Sequence, residues 1–242
     1  MNFCPTKNLG DRFGWDTWND HASELVAFAG HLTWEDINFR LSRTHGTEPA
    51  FSCFTMLRHP LTRVRSCFYY RRLFGSSRKE MSQFSGPELR ARFAEGRDLY
   101  GHGCLNEVFR IFGPDPWARN ETFLNTFGTG EDDLESPLAN HLIQTVVARM
   151  SRCVVGIQDI ENGQSYSKSF RLLGRTQPWL DPYLDASIHL QTGSRKSSQM
   201  NLPEGVLQVL LELTFLETQV YTAMVKLYKQ QQKEAMNTGM VA

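Results

Sequence analysis

Toward the C-terminus, Val206, Leu210, Leu213, Leu216, Val220, Met224 and Leu227 recur at three- and four-residue spacing, the stripe of a helix that lays one face on a core. Pro203 suits the first turn of that helix, and the tail from Gln230 to Ala242 is expected to fray. Two shorter runs read differently. FSCFTML at 51–57 and CVVGI at 153–157 are continuous stretches of apolar, aromatic and β-branched residues, the pattern of buried strands. Arg58-His59-Pro60 ends the first of them, because proline cannot donate to a ladder and is at home in the first turn of a helix. Leu61, Val64, Cys67, Phe68 and Leu73 then fall at helical spacing, so the predicted order is strand, short turn, helix over 61–74. Further helices are expected at 20–28, 104–112, 138–150 and 165–174, the last stopped by Gly174. GTGEDDLESP at 128–137 reads as a loop, and residues 1–20 show no clear periodicity.

The expected architecture is one α/β domain with a mainly parallel central sheet flanked by helices. An irregular segment at 1–28 precedes the domain at 29–230, and 231–242 form the frayed tail. Composition adds little to this picture. Basic and acidic residues balance at 26 each, so the chain as a whole has no electrostatic pull toward nucleic acid or an anionic membrane, and any anion site must be local. No reading motif for nucleic acid and no run of about 20 apolar residues occurs. The five cysteines, Cys4, Cys53, Cys67, Cys104 and Cys153, are scattered and odd in number. Their spacing signals neither a zinc site nor a closed disulfide framework and leaves the redox compartment open.

Candidate chemistry sits at the first strand-to-helix join. A helix N-terminus offers unpaired N–H groups and the positive end of a dipole, and an arginine at the end of the preceding strand adds a bidentate fork for a tetrahedral oxyanion. Arg58 supplies the fork. Thr62, Arg63 and Ser66 share a helix face by spacing, which brings a hydroxyl and a second guanidinium toward the same volume. An acidic partner for Arg58 and a solvated face for Arg63, Arg65, Arg71 and Arg72 accounts for the same residues equally well.

The pattern R-x-P-x-x-R-x-x-S-x-x-Y from Arg58 resembles the segment that binds the 3′-phosphate of 3′-phosphoadenosine 5′-phosphosulfate (PAPS) in carbohydrate sulfotransferases of the Golgi, notably the heparan sulfate and uronyl 2-O-sulfotransferase type. The resemblance implies a P-loop-like sulfotransferase fold in which Arg58 and Ser66 contact that phosphate. His59 stands where the family usually has Asp. AGHLTW at 29–34 is similar to the family's G-H segment, which implies His31 as catalytic base, with Ala29 where the closest relatives carry a second histidine. CVVGIQDIENGQSYSKSFRLLG resembles the family's V-G-(I/V)-x-E strand and following helix, departing from it at Asp159. GSRKSSQMNLPEGV resembles the R-K-(T/S)-(T/S) loop that folds over the nucleotide, which implies cofactor contacts for Arg195, Lys196 and Ser197. LETQVYTAMVKL matches the terminal helix. These matches span roughly 29–228, with 75–150 aligned only loosely.

What the resemblance implies is transfer of a sulfuryl group from PAPS, with no metal, to a hydroxyl of an acidic polysaccharide, in the Golgi lumen and with a membrane anchor outside this sequence. A neutral histidine suits proton removal from the acceptor near neutral pH. One family element is missing. No P-K-(T/C)-x-S-T loop, whose lysine stabilises the departing nucleotide, can be found, and Lys7 in CPTKN lacks the strand before it and the small hydroxyl residues after it. Two expectations follow: a chain that begins after the family's first strand, or a noncatalytic nucleotide- or glycan-binding relic. Elsewhere, His102, Cys104 and Glu107 lack a second ligand pair and read as structural or acceptor-cleft residues. Trp15, Trp18 and Trp34 suit either sugar stacking or burial. Arg71, Arg72 and Arg78 suit either a glycan cleft or a solvated face.

Overall fold

In the computed structural model the described residues are 33–35, 38, 53–71, 80–95, 103–128, 136–158, 164–177 and 202–237, with the side chains of 69–71 and 164–167 outside the description. Among them the chain is mostly helical around a small parallel sheet. Strand β1 is Cys53–Arg58, and helix α1, Pro60–Arg71, follows after one residue. A 3-10 turn at Met81–Gln83 leads to α2, Gly86–Glu95. The short helices α3, Glu107–Phe112, and α4, Glu121–Thr126, flank a 3-10 turn at Trp117–Arg119. Then come α5, Pro137–Met150, strand β2, Cys153–Gln158, and α6, Gln164–Thr176. The pair α7, Glu204–Leu213, and α8, Phe215–Asn237, completes the order.

The two strands pair in parallel from Cys53 opposite Cys153 to Arg58 opposite Gln158. β2 has no third strand on its far side among the described residues, because side chains satisfy that edge. Gln231 of α8 accepts from the Val155 amide at 3.0 Å and donates to the Cys153 carbonyl at 2.9 Å. Ser169 of α6 accepts from the Ile157 amide at 2.9 Å and donates to the Ile157 carbonyl at 3.1 Å. Alternate residues of a parallel strand direct their N–H and C=O to the same side, so these two side chains occupy much of that edge, a standard protection against further pairing. Gly156 allows α6 to lie this close: a Cβ there would stand 2.9 Å from Ser169 Cβ and from Phe54 Cζ.

Apolar side chains gather in two clusters. One surrounds the sheet, with Leu57, Val155 and Ile157 from the strands, Leu142, Val146 and Met150 from α5, and Leu216, Val220 and Met224 from α8. The other is helical, joining Val64 and Phe68 of α1 to Met81, Phe84, Leu89, Phe93, Leu105 and the apolar face of α7. The chain passes between the clusters at the β1–α1 join, between Leu105 and Phe109, and again at Thr214.

Several expectations need correction. Four of the five cysteines are paired, Cys53 with Cys153 and Cys67 with Cys104, across sequence separations that spacing could not reveal. The terminal stripe is two helices: the Thr214 amide and hydroxyl both donate to the Leu210 carbonyl, at 3.0 and 2.8 Å, and its backbone (φ −108°, ψ 7°) leaves the helical path. Residues 230–237 continue α8, because Gln231 is engaged with β2 and Ala235 is buried. Gly174 lies buried inside α6, which runs on to Thr176. The expected helix at 104–112 begins at Glu107, after Asn106 takes a left-handed conformation (φ 56°) and its side chain donates to the carbonyls of Leu124 and Phe127 at 2.7 and 2.9 Å. Expectations for residues 1–28 lie outside the described residues, as do residues 129–135 of the loop expected at 128–137.

Candidate functional site

The β1–α1 join stands at the carboxyl end of the parallel pair, where ligands of open α/β sheets bind. Each of its residues is held from a different side. Arg58, half-buried, donates from Nε to Oε1 of Gln158 at 3.3 Å, its register partner on β2. The His59 ring packs edge-on against Tyr221 of α8, centroids 5.2 Å apart. Pro60 is buried and opens α1 without contributing an N–H. The Arg63 amide then bonds the His59 carbonyl at 2.9 Å, while the helical pattern gives the Leu61 and Thr62 amides no intrahelical acceptor. A guanidinium at a strand end and N–H groups at a helix start are the kinds of donor that a tetrahedral oxyanion takes.

Ser66 lies on the same helix, about 9 Å along the axis from Pro60, with its Cβ tilted toward the N-terminus as in any α-helix. It is half-buried. The second guanidinium expected there is turned away. Arg63 donates from Nη1 to the Cys104 carbonyl at 2.9 Å and from Nη2 to Glu217 Oε2 at 2.5 Å, so it serves packing. Glu217 is only 1% exposed, and its other oxygen accepts from the Val108 amide at 3.2 Å. Nearby Arg110 is bound by Glu107 and Glu121; burial lowers its pKa, but the Glu121 hydrogen bond and the charges of Glu107, Glu121 and Glu217 outweigh that and raise it above the ordinary value.

The other candidates divide clearly. Cys104 is committed to its disulfide with Cys67 and Glu107 to its pair with Arg110, which removes both from any metal or nucleophile reading. Among the described residues no group of three His, Cys, Asp or Glu could hold a metal ion, and no helix is long and apolar enough to cross a membrane. Trp34 is 3% exposed, tilted against Phe112 and covered by the Arg152 guanidinium, so it belongs to the core rather than to a sugar-stacking surface. Its neighbour Glu35 pairs with Arg149, docking this segment on α5. His31, Arg195, Lys196 and Ser197 lie outside the described residues, as do Lys7, Trp15, Trp18, Arg72, Arg78, His102 and Asp159. Reading by spacing missed Gln158, Glu217 and Tyr221, because nothing in the sequence ties 58 to 158 or 63 to 217.

No protein-family model matches the chain, and neither a curated protein nor a solved structure does.

Proposed function

We propose that the protein uses PAPS to sulfate a carbohydrate hydroxyl, with the β1–α1 join as the seat of the 3′-phosphate. The observation that carries this reading is the placement of Arg58 at the carboxyl end of a parallel strand, next to a helix start with two unbonded amides, in a chain whose motifs resemble those of Golgi carbohydrate sulfotransferases. In this reading Arg58 and the Leu61 and Thr62 amides hold the 3′-phosphate, and Ser66 donates to it from α1. Arg195, Lys196 and Ser197 close over the nucleotide. The donor supplies a sulfuryl group whose bond to the phosphate oxygen breaks as a new sulfur–oxygen bond forms at the acceptor. His31 takes the acceptor hydroxyl's proton, and His31→Ala is expected to lower sulfation by at least 10²-fold; unchanged turnover would remove that role. The acceptor is an acidic polysaccharide. The reading places the protein in the Golgi lumen, held by a membrane anchor; two disulfides suit an oxidising compartment of this kind.

A second reading, noncatalytic binding of nucleotide or glycan on the same fold, draws its support from the absence of a recognisable P-K-(T/C)-x-S-T loop in the sequence. Titration calorimetry with 3′-phosphoadenosine 5′-phosphate tests the site common to both. Binding should need Arg58 and should fall at least tenfold for 5′-AMP, which lacks the 3′-phosphate. Equal affinity for both nucleotides, or an Arg58→Ala protein that binds like the wild type, would reject the site. Transfer of label from PAPS to a desulfated polysaccharide then separates the enzyme from the relic.

A further inference from the structure

We propose that Asn120 carries an N-linked oligosaccharide. Asn120-Glu121-Thr122 is the one N-x-(S/T) triplet of the chain, and its middle residue is not proline, which is the acceptor pattern for attaching a glycan to an asparagine amide. A three-residue pattern recurs by chance; the compartment, the exposure and an unbonded amide make this one a site. Attachment takes place in the secretory lumen, where disulfides also form and persist, and the chain holds two, Cys53–Cys153 and Cys67–Cys104. The inference goes beyond the sulfotransferase reading and does not depend on what the β1–α1 join binds.

The triplet turns its middle residue inward and its two reading positions outward. Arg110 donates to both carboxylate oxygens of Glu121 at 2.9 Å, while Asn120 and Thr122 are exposed. Asn120 precedes α4, and its Oδ1 accepts from the Phe123 amide at 2.9 Å. That bond uses the oxygen and leaves Nδ2, the atom that is glycosylated, without a hydrogen-bond partner among the described residues. A glycan on Nδ2 therefore keeps the existing bond to Phe123 and points a bulky, polar group away from the core. The co-reactant is a lipid-pyrophosphate-linked oligosaccharide. The bond from Nδ2 to the anomeric carbon forms as the bond from that carbon to the pyrophosphate oxygen breaks; one amide proton is released and the lipid pyrophosphate leaves. Asn106 and Asn125 make the contrast. They are 1% and 0% exposed, and Val108 and Phe127 stand where the hydroxyl residue would be needed.

The test is mass analysis of the full chain secreted from eukaryotic cells behind a cleavable leader, before and after an amidase that removes N-linked glycans and leaves aspartate in place of the asparagine. The wild type should carry one glycan that the amidase removes, with aspartate then found at position 120. Asn120→Asp and Thr122→Ala should both emerge without it. Asn120→Asp keeps an oxygen for the Phe123 amide, so the turn into α4 survives. The Thr122 hydroxyl makes no hydrogen bond among the described residues, so Thr122→Ala removes the recognition group alone. Thermal transitions of both variants check that each is folded; should one not fold, the other decides. A wild type without sugar at Asn120 overturns the inference, whatever nucleotide it binds. So does an amidase-sensitive glycan that persists in either variant. A glycosylated wild type that binds no nucleotide supports the inference and removes only the sulfotransferase reading.

Discussion

The two buried clusters of this molecule are made of different material. The sheet cluster is organised by two directly paired strands, whose backbone bonds and capped edge dictate where α5, α6 and α8 must lie. The helical cluster has no ladder; α1, α2, α7 and the segment at 104–105 meet mainly through side chains, with Phe68 packing against Phe84 and Phe93. Each cluster carries one disulfide, and the two differ in the same way. Cys53–Cys153 staples a register that hydrogen bonds already define, whereas Cys67–Cys104 fixes a contact that nothing repetitive would specify. Arg63 reinforces the second disulfide from one turn earlier on α1 by bonding the carbonyl of Cys104, and through Glu217 it ties the helical cluster to α8 of the sheet cluster. The candidate anion site occupies the seam, and a seam must be held from both sides to keep a fixed shape.

The sharpest way to separate the clusters is to cut their disulfides one at a time. Closing a loop of about 100 residues is worth roughly 4.7 kcal/mol in the chain-entropy account and one of about 37 residues roughly 3.8. Cys53→Ala/Cys153→Ala should therefore lose about 4 to 5 kcal/mol by urea unfolding, and Cys67→Ala/Cys104→Ala slightly less. If the sheet's own ladder holds the register, the first variant keeps its nucleotide affinity when folded; a folded variant with abolished affinity would show that the ladder alone does not.

Next in size is the tether between clusters. Glu217→Ala leaves Arg63 Nη2 without its carboxylate and the Val108 amide without its acceptor, and breaking a buried pair from one side typically costs about 3 kcal/mol or more. A loss below about 1 kcal/mol would mean the clusters associate without it. Gly156→Ala probes the sheet cluster alone: the added methyl must displace α6 or Phe54, for about 1 to 3 kcal/mol, and the same stability as wild type would contradict the close approach of Ser169. Smallest is Thr214→Ala, expected to change stability by under about 1 kcal/mol, since its hydroxyl shares a carbonyl already bonded by its own amide. A loss above about 2 kcal/mol would make that hydroxyl the cause of the turn between α7 and α8.

Much of the sheet region was legible beforehand. Continuous apolar runs mark β1 and β2, and Pro60 marks the switch to α1, because these signals are local and depend on few neighbours. The seam was legible only by half. Arg58 ends the strand just before the helix, but Arg63, equally basic and on the expected face, turns inward because a buried carboxylate lies across from it. The end of the chain misled for a related reason. Gln230 to Asn237 looks polar enough to fray, yet one glutamine facing an open strand edge supplies two hydrogen bonds that hold the helix in place.

Local patterning in the chain sets where the strands and most of the helices lie, and that an arginine ends a strand just before a helix begins. Those features follow from side-chain periodicity and from the fixed φ of proline, which act over a few residues. Which cysteines pair, that Gln158 meets Arg58, that Glu217 captures Arg63 and that Thr214 divides two helices emerge only once the chain is folded. Each of these joins residues distant in sequence or breaks an even apolar stripe at one backbone position, and periodicity carries no information about either.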